Sequence, residues 1–197
     1  MRIIGKTTSI NVRKVLWTCA ELGLSYERED WNAAHADLNP NAMVPVLVDG
    51  GFVLWESNTI CRYLCTKHAS ALLPANAQDR ARVEQWMDWQ ATELNTAWRY
   101  AFMALVRNSP NHQDPTQIEA GVNAWNRHIG ILDAQLARTG AYAAGEHFTL
   151  ADVVLGLSVN RWMMTPMARP EYRHVAAYYD RLNERPGFRE FGRNGIA

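Results

Sequence analysis

The chain has 197 residues, with 20 basic and 20 acidic side chains that cancel to a net charge of zero, and it is long enough to bury a core without disulfides or metals. Residues 1–74 carry seven charges of each sign and residues 75–197 carry thirteen of each, which argues against a basic nucleic-acid footprint or a polybasic membrane patch. A composition of 48 % hydrophobic and 20 % charged residues argues against disorder, and there is no apolar run of about 18 residues to cross a membrane.

The elements follow in chain order. Met1-Arg2-Ile3-Ile4-Gly5-Lys6 turns polar too early for a secretory leader, and Arg2–Gly5 reads as a short strand. Asn11–Leu22 places Val12, Val15, Leu16 and Cys19 at helical spacing, with Gly23 as a stop. Tyr26–Asp30 reads as a second strand, and Asn32–Leu38 holds a turn of helix at most. Val46–Val48 and Phe52–Trp55 flank the hairpin signal Asp49-Gly50-Gly51, after which Ser57 caps a helix through Ile60 and Leu64 that ends near His68. The order β-α-β, loop, β-β-α predicts a mixed four-stranded sheet with helices packed on it.

From Asp79 onward the strand signals stop. Asp79–Arg107 reads as one long amphipathic helix through Val83, Trp86, Met87, Leu94, Trp98, Phe102 and Leu105, and Ile118–Leu136 as another. Thr149-Leu150-Ala151-Asp152 resembles a capping box, with Asp in place of Glu or Gln, so Thr149 and Asp152 point to folding and not to a site. A further helix runs through Val175, Tyr178, Tyr179 and Leu182, broken by Arg185-Pro186-Gly187. The change of rhythm at Leu73-Pro74 divides the chain into residues 1–74, α/β, and residues 79–197, all-helical. Cys19, Cys61 and Cys65 form no C-x-x-C pair and read as buried thiols of a reducing cytosol; neither they nor the six histidines show metal-ligand spacing.

Five local motifs occur in an order that resembles the soluble glutathione transferases, specifically serine-type bacterial members, over almost the whole chain. Thr7-Thr8-Ser9-Ile10-Asn11-Val12-Arg13-Lys14 is similar to the loop that opens the first helix of the family. Asn41-Ala42-Met43-Val44-Pro45-Val46-Leu47 is similar to its cis-proline segment, and Glu56-Ser57-Asn58-Thr59-Ile60 to its γ-glutamyl-binding turn. Phe148–Asp152 and Arg185–Phe188 are similar to the capping and terminal motifs of its helical domain. The resemblance implies a thioredoxin-like N-terminal domain followed by an all-α domain. It also implies a homodimer, with glutathione as co-substrate rather than a permanent cofactor, and no nucleic-acid or membrane partner. No cysteine occurs in Ser9-Ile10-Asn11-Val12 and no tyrosine in Ile3–Lys6, so cysteine-type and tyrosine-type chemistry are not expected.

The residue types fit that chemistry. Ser9 stands before a helix whose unpaired N–H groups and dipole favour an anion. Lowering a thiol pKa from about 8.5 by about two units takes roughly 2.7 kcal/mol. A hydrogen bond to a charged group supplies about 1.5–3 kcal/mol, and a helix N-terminus about 0.3–2 kcal/mol. Ser9, assisted by Asn11, is therefore the expected activator of the glutathione sulfur. The alternative for either residue is a plain helix cap. Val44, before Pro45, is expected to pair its backbone with the cysteinyl unit, and Glu56 and Ser57 to hold the γ-glutamyl ammonium and carboxylate. The segment Asn32–Leu38 is shorter than the family's, leaving His35 or Asn32 as candidates for the glycyl carboxylate, and Ala42 stands where the family usually has glycine. Trp98, Phe102 and Met103, with Trp162, Met163 and Met164 beyond, are candidates for the apolar electrophile wall, core or subunit contact being the competing reading. Arg99 and Arg107 read as solvated charge that could attract anionic substrates. The region Trp86-Met87 and Trp89 is a candidate dimer contact. Rival functions on the same fold are glutathione-dependent disulfide or peroxide reduction and a non-catalytic interaction module.

Overall fold

The computed structural model describes residues 1–197. Strand β1 (Arg2–Ile4) buries Ile3 and Ile4 completely and pairs in parallel with β2 (Glu27–Glu29). Helix α1 (Ile10–Glu21) makes the crossover that a parallel pair requires. Strand β3 (Val46–Asp49) runs antiparallel to β1 and turns through Gly50, at φ 63°, into β4 (Phe52–Trp55). The sheet order is β2-β1-β3-β4, the mixed four-stranded arrangement expected. Helix α2 (Ser57–Lys67) packs on α1, with Ile60, Cys61, Leu64 and Cys65 fully buried.

The rest of the chain is helical: α3 (Ala77–Trp89), α4 (Asn95–Leu105), α5 (Pro115–Thr139), α6 (Leu150–Met164), α7 (Arg173–Leu182) and α8 (Pro186–Phe191). Helix α6 is buried on all sides from Leu150 to Trp162, which makes it the axis of this part. The Thr149–Asp152 box forms as expected, the Asp152 Oδ2 accepting from the Thr149 N–H at 2.8 Å. Burial raises the Asp152 carboxyl to about 6 against four hydrogen bonds that oppose the rise.

Helix α1 ties the two parts together. Its Trp17 lies against Gly156 of α6 and Gly187 of α8, where a Cβ would come within 3.1 Å and 2.5 Å of the indole. The Trp17 N–H donates to Glu21 at 2.7 Å, and Glu21 is ion-paired with Arg185. Helix α1 is therefore held against α6 and α8.

Four expectations change. The long helix over Asp79–Arg107 is interrupted by a π turn at Gln90–Leu94, where the Gln90 side chain accepts from Lys14 at 3.0 Å and donates to Asn95 and Ser158 at 3.0 Å each. This buried network settles polar groups between the two parts and widens the helix locally. Ala33–Leu38 forms a six-residue 3-10 helix, longer than a single turn, because Asn32 and His35 build their own capping box. Ser57 is the first residue of α2 and not its cap; the cap position belongs to Glu56. Trp86 and Met87 are buried within the chain and Trp89 is half-buried, so little of this region faces outward.

Candidate active site

Three segments meet at one end of the sheet. Ile4 pairs with Val46 and Val46 with Trp55, so the loop after β1, the residues before β3 and those after β4 leave the sheet together. Gly5, at φ 146°, makes the junction tight: a Cβ there would stand 2.5 Å from Val12 and 3.0 Å from Val44.

Ser9 occupies the N-cap position of α1 with an extended backbone, yet its hydroxyl makes no capping hydrogen bond. Its carbonyl accepts from the Arg13 N–H at 3.0 Å, so the helix begins normally while the Oγ stays free. The N–H groups of Ile10 and Asn11 have no intrahelical acceptor, as the geometry of a first turn dictates. The Asn11 side chain is likewise without a partner inside the chain. This separates the two readings of Ser9, because a capping serine would spend its oxygen on the N2 or N3 amide.

The Val44–Pro45 bond is cis. Val44 lies outside the strand, and neither its N–H nor its carbonyl is hydrogen-bonded within the chain. The loop before it is held by Asn39, which donates to the Met43 carbonyl at 2.8 Å and accepts from the Asn41 N–H at 3.0 Å. Ala42 has φ 50°, the left-handed conformation that suits glycine. Glu56 is also left-handed, at φ 71°, which costs a non-glycine residue about 1–2 kcal/mol. Its side chain is exposed and carries no ion pair, while Ser57 beside it is 6 % exposed with an unbonded hydroxyl.

Above this sheet edge lies a cavity of about 680 Å³, within the range of small-molecule sites. One wall comes from Lys6, Thr8, Ser9, Asn11, Trp31 and Val44, the other from Trp98, Phe102 and Met103 of α4. Trp98 and Phe102 pack edge to face at 5.2 Å, and the Trp98 N–H donates to Asn95 at 2.9 Å. Ser9, Asn11, Val44, Trp98, Phe102 and Met103 thus share one cavity. Pro45, Glu56 and Ser57 sit just outside its lining, on the same sheet end.

Five candidates lie elsewhere. His35 is buried with its Nδ1 accepting from the Asn32 N–H at 3.1 Å and its Nε2 3.5 Å from Glu29, so its ring is committed to the 3-10 helix and not to the cavity. Asn32 is committed by the same box, accepting from the Ala34 N–H at 2.9 Å. Trp162 points to the other side of α6, donating to Asn126 at 2.8 Å and stacking on Tyr172, so it lines a separate depression with Met163. Met164 is exposed and lines neither.

The cavity is electropositive. Lys6, Arg99, Arg107 and Arg161 line it, against a single acid, Asp30, which is ion-paired with Arg28. Arg99 and Arg107 are exposed, as solvated charges are, and both line the cavity. Arg161 is the cavity residue that reading the sequence missed. The cysteines lie outside, and burial pushes Cys19, Cys61 and Cys65 up to about 12, 11 and 12, which leaves no reactive protein thiol there. No group of three or more His, Cys, Asp or Glu side chains is placed to hold a metal ion, and no helix is long and apolar enough to cross a membrane.

Comparison with known proteins gives this geometry a family. Residues 8–67 match the model of the glutathione S-transferase N-terminal domain, and residues 115–181 that of the C-terminal domain. The chain belongs to the glutathione S-transferase family. It is 33 % identical to the glutathione S-transferase GstB of Escherichia coli over 94 % of both chains, and 32 % identical to glutathione S-transferase 3 of Zea mays over 96 % of this chain and 92 % of that one. The glutathione-bound crystal structure of the theta class glutathione S-transferase from Xanthomonas axonopodis pv. citri superimposes with a TM-score of 0.92, at 35 % identity, covering 100 % of this chain and 98 % of that one. As in the rest of the family, the sheet-bearing part comes first and the helical part second.

Proposed function

We propose that this glutathione S-transferase conjugates glutathione to an aromatic electrophile, with Ser9 as the group that stabilises the thiolate. The observation that carries the reading is the free Ser9 hydroxyl beside the unpaired amides of α1, in one cavity with the Trp98–Phe102 wall. The sulfur is placed at the start of α1, where Ser9 Oγ donates to it and Asn11 assists. The Val44 N–H and carbonyl pair with the cysteinyl backbone, and Ser57 and Glu56 take the γ-glutamyl carboxylate and ammonium. Binding holds thiolate and electrophile at reacting distance against a wall that excludes water. The reading extends to a division near residues 74–79, a homodimer working in the cytoplasm on toxic electrophiles, and no resident cofactor.

The lack of an activated protein thiol near Ser9 supports conjugation over thiol exchange through the protein's own sulfur. Product analysis tests this directly. A thioether formed from glutathione and an aryl halide is the expected product. Oxidised glutathione without thioether would assign reduction instead, and no heat of binding at millimolar glutathione would assign an interaction module.

A further inference from the structure

Arg161 is the most unusual polar group in the molecule. It is 4 % exposed, its Nε is sealed from solvent without a partner, and its terminal nitrogens make no hydrogen bond although they reach the cavity. A buried guanidinium is expected to be paired, because each unmade hydrogen bond of a charged group is costly. Here it is held only by ring faces: its Cζ stands 4.6 Å from the Trp98 ring centre and 4.1 Å from that of Phe102. Arg107 lies over the same Phe102 ring at 5.4 Å. The neighbouring charges that act on Arg161 are Arg13 and Arg107, both cationic, and together with burial they pull it down to about 9, still charged at neutral pH. No carboxylate of the chain balances the pair.

We propose that Arg161, with Arg107 beside it, is an anion subsite at the electrophile end of the cavity, and that the protein selects aromatic electrophiles bearing a carboxylate. A flat aryl ring fits against Trp98 and Phe102, and a carboxylate at its edge supplies two acceptors to the guanidinium fork. This deepens the transferase reading and rests on it for the chemistry. The thiolate sulfur forms the new C–S bond, the carbon–halogen bond breaks, and halide leaves with the electron pair; the thiol proton has already gone to solvent.

The test compares para-(bromomethyl)benzoate with its methyl ester, each rate divided by its uncatalysed rate. In the wild type kcat/KM is expected to favour the acid. Arg161→Met is expected to lower kcat/KM for the acid by roughly 10–100-fold and to leave the ester within about 3-fold, with the glutathione KM unchanged. Arg107→Gln, at an exposed position, is expected to weaken the acid about 3–10-fold and serves if Arg161→Met does not fold. Equal losses on acid and ester, or an effect confined to the glutathione KM, would overturn the subsite. If the wild type conjugates neither compound, the transferase reading fails on its own. Calorimetry with para-toluate against para-toluamide then decides the subsite: binding of the acid alone, abolished in Arg161→Met, supports it, and equal or absent binding of both refutes it.

Discussion

Replacing Ser9 by alanine separates catalysis from folding. The hydroxyl makes no hydrogen bond inside the chain, so its loss removes no cap, and stability is expected to fall by less than about 0.5 kcal/mol, against the ~1 kcal/mol typical of a lost capping side chain. With glutathione bound, the same deletion removes a hydrogen bond to a charged sulfur, about 1.5–3 kcal/mol. That raises the thiol pKa by roughly one to two units, from about 6.5 if binding lowers it by two, and cuts the thiolate present at pH 7 by roughly 3–25-fold. The helix amides remain, so conjugation falls by the same factor without vanishing, and glutathione affinity is expected to change little, since the proposed binding mode holds the tripeptide chiefly at Val44, Glu56 and Ser57. The assays are an ultraviolet thiolate titration of the bound complex, conjugation kinetics and a denaturant curve. An unchanged thiol titration with unchanged turnover would refute the role of Ser9; a stability loss of about 1–2 kcal/mol with intact turnover would make it a cap.

Other consequences can be measured on the same footing. Glu56→Gly relieves a left-handed backbone at φ 71°, so stability stays within about 1 kcal/mol, while glutathione binding by calorimetry weakens about 10-fold. Lys14 is buried with only Asn58 and Gln90 as partners, and burial lowers it from 10.5 to about 8. A lysine depressed in the folded state is a full burden below pH 8, relieved as pH rises toward 10.5. The wild type should therefore gain up to about 3 kcal/mol on Lys14→Met across that window, read from paired denaturant curves; a flat difference would contradict the burial of a charged amine. Trp98→Ala should raise the electrophile KM several-fold, whereas Trp162→Phe should leave both KM values unchanged, because that indole faces Asn126.

What the sequence disclosed depended on local signals. The hairpin Asp49-Gly50-Gly51, the cap of α6 and the order of sheet before helices are written in short-range spacing, and the structure carries them. The position of Ser9 before α1 was legible, but its unbonded hydroxyl was not, since a serine at a helix start is usually a cap. Helix α6 shows why periodicity fails in a core: it is buried on every side, so nothing in its pattern told that Arg161 faces the cavity and Trp162 the opposite way. The π turn at Gln90–Leu94 was hidden for a related reason, because it answers to Lys14, far away in sequence. His35 misled in the other direction; Asn32 and His35, three apart, already formed a capping pair that consumed the ring.

The central claim is that a thiolate rests at the start of α1 against a serine hydroxyl, and a crystal structure with glutathione soaked in tests it most directly. The account predicts the sulfur within hydrogen-bonding reach of Ser9 Oγ, with the Val44 backbone paired to the cysteinyl unit. A sulfur lying away from both Ser9 and the Ile10 and Asn11 amides would contradict it.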